Sequence, residues 1–259
     1  MRPALDPAFL TTPLAHRALH DAGAHRPENS LPAIRAAIEQ GFGIEIDLQV
    51  SADGVAMVFH DDDLDRLTFE TGPVKARSAA ELQRIRVRDS REPIPTLRQV
   101  LAEIDAQVPL LIEIKDQSAM MGPTDGVLEQ ATASALDGYN GPVAVMSFNP
   151  ASIAWMAQLA PQVPRGLTTY AFPASDFPAD AGPELQAHRE NLAAISEYDT
   201  VGAVFLSHHW RDLNAPRVTE LKAQGAAILC WTIRSPEEEA TARQVAQNIT
   251  FEQYLPDRP

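Results

Sequence analysis

Apolar and polar residues alternate along this chain with two periods, and the switches between them mark out its elements. Strict alternation predicts a strand, and apolar positions recurring every three or four residues predict a helix. Residues 44 to 50, Ile-Glu-Ile-Asp-Leu-Gln-Val, set Glu45 and Asp47 on one face of a strand and Ile44, Ile46 and Leu48 on the other. Ser51-Ala52-Asp53-Gly54 is a turn signal, and Val55 to Phe59 is a second apolar strand that delivers His60 and Asp61. Counting back across this turn sets His60 opposite Glu45. Upstream, Leu14 to Leu19 is a short apolar segment broken by His16 and Arg17. Adjacent strand residues point to opposite faces, so these two serve one site only if the strand ends there. Between them, Leu31, Ile34, Ala37 and Ile38 form a helical stripe, with Asn29 or Ser30 to cap it, Pro32 in its first turn and Gly41 to end it.

The second half continues the alternation. Leu110 to Ile114 is a strand with Glu113 and Lys115 on one face, and four more follow at Val143 to Ser147, Gly166 to Tyr170, Ala203 to Ser207 and Ala227 to Thr232. Helices are predicted at Leu97 to Ile104, capped by Thr96, and near Val127 to Leu136, Pro150 to Leu159, Glu184 to Tyr198, Pro216 to Gln224 and Pro236 to Gln247. Counting the strands of His16, Glu45, Val55 to Phe59 and Glu113, this pattern gives a single (β/α)8 TIM-type barrel over residues 1–259. An open doubly wound sheet is the alternative, but the first βα turn has no glycine-rich phosphate loop. The barrel is irregular between strands 2 and 3, because four turn residues cannot hold a parallel crossover; an antiparallel ribbon is expected there. Residues 62–95 are too long for an ordinary connection, so a small insertion after strand 3 is expected to cover the active-site face.

Composition narrows the setting. With 45% hydrophobic residues among 259, the chain has ample material for a core. No apolar run approaches the roughly 20 residues of a membrane helix, and the N-terminus does not read as a targeting segment. One cysteine, Cys230, excludes an intrachain disulfide and a multi-thiolate zinc site, which fits a cytoplasmic protein. The formal net charge of −14 argues against nucleic acid or an anionic membrane as a general partner, and with no membrane-length apolar run stable membrane insertion is not expected, which leaves a small-molecule substrate as the expected partner. Oligomeric state is not legible.

Candidate chemistry concentrates where strands carry polar residues. Two carboxylates on one face among aliphatics are costly without a cation, so Glu45 and Asp47 point to a metal, unless that face is exposed. Glu113 with Lys115 is either part of the same site or a plain ion pair. His16 and His60 together suit proton transfer near neutral pH, although either alone could be a core histidine. Glu28 and Asn29 support the site or simply cap a helix. Asp62, Asp63 and Asp65 read as a solvated loop face, and Arg66, Lys75 and Arg77 as cations available to anions.

In order, His16-Arg17, Pro27-Glu28-Asn29, Glu45-x-Asp47, Ser51-x-Asp53-Gly54 leading to His60-Asp61, Glu113-x-Lys115, Pro93-Ile94-Pro95-Thr96-Leu97 and Trp231-Thr232 resemble the glycerophosphodiester phosphodiesterase family. The resemblance covers nearly the whole chain. It implies a metal-dependent (β/α)8 barrel that cleaves glycerophosphodiesters to sn-glycerol 3-phosphate and an alcohol. By the same resemblance Glu45, Asp47 and Glu113 match the metal ligands, His16 and His60 the acid/base pair, and Arg17 and Lys115 the phosphate-binding cations. Carboxylate ligands without cysteine suit Mg2+ or Ca2+ better than Zn2+. Trp231 is expected either as an apolar wall for glycerol carbons or as core. Two departures stand out: Ala18 replaces the family's Gly, implying a looser turn or a closer fit against the substrate that reshapes the alcohol end of the pocket, and the chain closes with Asn248-Ile249-Thr250-Phe251-Glu252. The neighbouring readings are a phosphatidylinositol-type or lysophospholipid phosphodiesterase, a metal-dependent lyase or isomerase, and a non-catalytic phosphate binder.

Overall fold

Among residues 2–88, 90–118 and 120–257, which the computed structural model describes, eight parallel strands close into a barrel with helices between them. The strands are β1 (Leu14–Ala15), β2 (Gly43–Val50), β3 (Ala56–Val58), β4 (Leu110–Ile114), β5 (Val143–Ser147), β6 (Arg165–Thr169), β7 (Phe205–His209), β8 (Ala227–Ile233) and β9 (Asn248–Phe251). Around the ring, β1 is followed by β2, β4 and then β5 to β9 in sequence, and β9 pairs back onto β1. Met1, Asp89, Ala119, Arg258 and Pro259, which the expected domain limits include, lie outside the described residues.

The closure corrects the sequence pattern at one strand. Val55 to Phe59 was counted into the ring, but β3 is antiparallel and lies outside it. β4 pairs Ile44 to Leu48 of β2, so only the end of that long strand, Leu48 to Val50, extends far enough to receive β3. The eighth barrel strand is β9, from the stretch read as a family departure. The expected antiparallel ribbon is present, with a register one residue from that anticipated. Leu48 faces Val58, and the amide of Phe59 donates to the Asp47 carbonyl at 3.0 Å, which carries His60 toward the level of Ile46 rather than Glu45. The slip comes from the turn. Ser51 and Val55 close it by a 3.0 Å backbone bond around three residues, the last being Gly54 at φ +74°.

The helices are α1 (Ala8–Thr11), α2 (Leu31–Gln40), α3 (Ala79–Leu82), α4 (Leu97–Ile104), α5 (Val127–Leu136), α6 (Pro150–Leu159), α7 (Pro183–Ala193), α8 (Pro216–Ala223) and α9 (Pro236–Ala242). Ser30 caps α2 through the amide of Ala33, and Gly41 ends it in a left-handed conformation. Thr96 and Gln99 form a reciprocal capping box on α4, which buries Leu97, Val100, Leu101 and Ile104. Helix α7 ends at Ala193, short of the expected Tyr198, because Ile195 takes φ 48°, which no right-handed helix accommodates.

Strand parity divides the core. On β4, Ile112 and Ile114 face outward, where they join Ile44, Ile46, Ile34, Leu101 and Ile153 under the helices. The other parity faces the barrel axis. Near the N-terminal ends of the strands Leu14, Leu111, Ala144, Phe205 and Leu229 fill the interior, and Phe9 of α1 packs into the same layer. Asn248 fixes α1 there by donating to the carbonyls of Phe9 and Thr12 at 2.9 and 2.6 Å. Gly166 is required in this layer, since a Cβ there would meet the Phe205 ring at 2.4 Å. A separate apolar cluster, Met57, Phe59, Leu64, Val74, Leu82 and Ile94, lies between β3 and the 62–95 segment. Among the described residues no helix is long and apolar enough to cross a membrane.

Candidate active site

Following the axial parity toward the C-terminal ends of the strands replaces aliphatic side chains with chemistry, as expected at that end of such a barrel. Asp47 is in register with Glu113 across β2 and β4, with Glu45 one step earlier on the same face. All three carboxylates are buried, and their oxygens lie within 4.8 Å of one another, a cluster that could hold a metal ion. Burial, reinforced by Asp47 and Glu113, pushes the Glu45 carboxyl well above its usual range. Burial acts on Asp47 the same way but is outweighed by Lys115, His60, Arg17 and His16, which hold its carboxyl well below that range. A cation among these oxygens therefore relieves a repulsion that is present in the protein itself.

Two basic side chains reach this cluster. Lys115 places its ammonium 2.7 Å from Asp47 and 2.5 Å from Glu113, and although burial opposes its charge, those two carboxylates keep it protonated. Arg17 lies 3.6 Å from Asp47 through Nε and donates through a terminal nitrogen to Glu28 at 2.8 Å. Asn29 supports rather than caps. Its amide nitrogen donates to Asp47 Oδ2 at 2.9 Å, and its carbonyl oxygen accepts from the Asp47 amide at 3.2 Å.

Strand β1 ends at Ala15, so His16 and Arg17 both belong to the mouth rather than to opposite faces. The turn after them is tight. Arg17 and Ala18 adopt φ 51° and 62°, and their amides donate to the Glu45 side chain and carbonyl, both at 2.9 Å. Left-handed geometry at a residue with a Cβ costs roughly 1–2 kcal/mol, so the two hydrogen bonds to Glu45 hold a conformation that Gly would adopt freely. Ala18 is buried in the core beneath the helices, which corrects the expectation of a looser turn or a reshaped alcohol end of the pocket.

His16 and His60 each have a carboxylate partner. His60 Nδ1 is 2.6 Å from Asp61 Oδ1, and Arg66 grips the same carboxylate through both of its oxygens at 2.6 and 2.8 Å. Arg66 also donates to Glu28, so it is committed to this network rather than available to anions. Burial would raise the Asp61 carboxyl, but Arg66 and His60 bring it down to about 2. His16 Nδ1 is 2.6 Å from Glu252 Oε2. Burial lowers the His16 pKa against the opposing hydrogen bond that its Nδ1 donates to Glu252. Glu252 was not anticipated. Its signal was present in the alternation of Asn248, Thr250 and Glu252 with Ile249 and Phe251, and the pairing of Ala15 with Phe251 makes His16 and Glu252 neighbours.

The mouth opens into a cleft of about 860 Å³. His60, Glu113 and Lys115 contribute to its lining, as do Phe148, Tyr170 and Trp231. Trp231 is only partly buried. Its indole donates to the Ser207 carbonyl at 2.9 Å, and Phe148 meets its ring edge-on at 5.4 Å. The arrangement thus collects three carboxylates, two cations and two carboxylate-held imidazoles beside an open, partly aromatic cleft.

Known proteins share both sequence and fold with this chain. Residues 16–249 match the Glycerophosphoryl diester phosphodiesterase family. A phosphodiesterase from Oleispira antarctica, solved in complex with the product sn-glycerol-3-phosphate, aligns with a TM-score of 0.72 at 25% identity over 94% of each chain. YhdW of Bacillus subtilis, provisionally named a glycerophosphodiester phosphodiesterase, is 27% identical over 236 residues, 88% of each protein. Glycerophosphodiester phosphodiesterase 1 of Bos taurus is 38% identical over 109 residues, which span 38% of this chain and 32% of the bovine protein. The chain belongs to the glycerophosphoryl diester phosphodiesterase family and is an enzyme of the phosphoric diester hydrolase class.

Proposed function

We propose that the protein hydrolyses glycerophosphodiesters to sn-glycerol 3-phosphate and an alcohol, as a single barrel domain over residues 1–259 whose 62–95 segment is a small insertion covering the active-site face. The observation that carries this reading is that Asp47, in register with Glu113 in the carboxylate cluster, lies 2.7 Å from the Lys115 ammonium and 3.6 Å from the Arg17 guanidinium, beside a cleft that His60 also lines. Two phosphate-type cations thus converge on one carboxylate cluster. Glu45, Asp47 and Glu113 would hold one divalent cation, and three carboxylate donors fit Mg2+ or Ca2+. Such an ion, when bound, neutralises a phosphodiester and stabilises the more highly charged transition state.

The remaining work falls to this chain's own side chains. Arg17 offers a planar fork and Lys115 a point charge to the non-bridging phosphate oxygens. His16 and His60 form the acid/base pair, one taking the proton of the attacking oxygen and the other giving one to the departing alkoxide. Glu28 and Asn29 hold Arg17 and Asp47 in place. Trp231 forms a wall against the glycerol carbons. The net charge of −14 favours a small-molecule partner over nucleic acid, and the single, buried Cys230 supports a cytoplasmic setting.

The test is release of glycerol 3-phosphate, followed by a coupled dehydrogenase, from wild type, His16→Ala and His60→Ala. Each substitution should lower kcat by roughly 10²–10⁴-fold. Wild-type rates in both variants would overturn the assignment.

A further inference from the structure

We propose that Glu252 is a positioning residue for this reaction: it holds His16 through Nδ1 and fixes the tautomer in which Nε2 is the nitrogen left free for proton transfer. This rests on the hydrolase reading above for its catalytic consequence, though not for the tautomer itself. A carboxylate can only accept, so a 2.6 Å contact between Glu252 Oε2 and His16 Nδ1 requires the proton to be on Nδ1. A neutral imidazole then has a bare Nε2, and that atom makes no hydrogen bond among the described residues.

Both partners of this contact are held by their surroundings. Arg234 Nε donates to the other oxygen, Oε1, at 2.7 Å, which leaves Oε2 to His16. The amide of Glu252 donates to the Ile233 carbonyl at 3.0 Å, extending the β8–β9 pairing by one residue. On the His16 side, the imidazole residue's own amide donates to the Phe251 carbonyl at 2.9 Å. Imidazole and carboxylate are therefore fixed by adjacent parallel strands, and the side chain of Glu252 is only 11% exposed. His20 approaches the same oxygen at 3.6 Å, too far to compete with the 2.6 Å contact. The second histidine is held differently, because Asp61 Oδ1 is shared between His60 and Arg66. Burial would raise the Glu252 carboxyl, but the hydrogen bond from His16 and the charge of Arg234 keep it ionised, as an acceptor for Nδ1 must be.

The experiment combines nitrogen-15 NMR of the histidine rings with steady-state kinetics on Glu252→Gln and Glu252→Ala. In wild type without substrate, the His16 ring should show a protonated Nδ1 and a bare Nε2. Glu252→Ala should release this preference and lower kcat by roughly 10²–10⁴-fold with KM changed less than about threefold, the scale of losing a tautomer-fixing carboxylate. Glu252→Gln, whose amide oxygen can still accept from Nδ1, should keep the tautomer and lose roughly 10–100-fold in kcat. A wild-type ring protonated on Nε2, an Ala variant with kcat within about threefold of wild type, or an Ala variant that loses kcat with its His16 tautomer unchanged would each overturn the proposal. If wild type released no glycerol 3-phosphate, the hydrolase reading would fail, while the ring spectra would still decide what Glu252 does to His16.

Discussion

Replacing Lys115 with Met isolates the electrostatics of the carboxylate cluster. The methionine retains most of the aliphatic stem and removes an ammonium that lies 2.7 Å from Asp47 and 2.5 Å from Glu113, both buried. Breaking a buried pair by deleting one partner costs about 3–5 kcal/mol. The lower end applies here, because Asp47 keeps Asn29 at 2.9 Å and Arg17 at 3.6 Å. At about 2–4 °C per kcal/mol for a chain of this size, a loss of about 3 kcal/mol lowers Tm by roughly 6–12 °C. The assay is calorimetric melting near neutral pH, first in EDTA and then with excess Mg2+. A cation at about 100 times its Kd adds about 2.7 kcal/mol, and it gains most where the carboxylates have lost their ammonium. The gap between variant and wild type should therefore shrink with Mg2+. A variant melting within about 2 °C of wild type in EDTA, against the 3–5 kcal/mol expected of a broken buried pair, would refute the reasoning. A gap indifferent to the ion would refute it equally.

Two further predictions concern the frame of the site. The Asp61 carboxyl sits at about 2, below its unfolded value of about 3.9, so its contribution is full above pH ~4 and is lost as pH falls through ~2. Asp61→Asn should flatten stability across that window in denaturant titrations, and an unchanged acid slope would contradict the Arg66 clamp. Gly166→Ala places a Cβ 2.4 Å from the Phe205 ring, and such overpacking costs about 1–3 kcal/mol. Adding Phe205→Leu should recover part of the lost Tm, whereas a single variant as stable as wild type would mean the interior layer is looser than described.

The residues that carried chemistry in the sequence were legible because period-2 alternation leaves little freedom. Glu45, Asp47 and Glu113 had to share a face once their strands were recognised, and β2 and β4 bring them into register. Helices with caps were equally legible, as with Thr96 before α4 and Ser30 before α2. Closure was not. A three-residue strand such as β3 has the same local composition whether it joins the ring or folds back antiparallel, and only the reach of β2 past β4 decides between them. The same ambiguity hid β9, and with it Glu252, whose importance depends on a pairing between Ala15 and Phe251 more than two hundred residues apart in the chain. Ala18 misled for a different reason. Its side chain suggested a relaxed turn, yet two backbone bonds to Glu45 impose left-handed geometry regardless of the Cβ.

The most direct measurement is phosphorus-31 NMR of a glycerophosphodiester incubated with the wild-type protein and Mg2+. The diester resonance should give way to that of sn-glycerol 3-phosphate, the conversion should stop with EDTA, and it should resume when the ion is restored. A diester that persists, a phosphomonoester carried by the other alcohol, or conversion indifferent to EDTA would contradict the account.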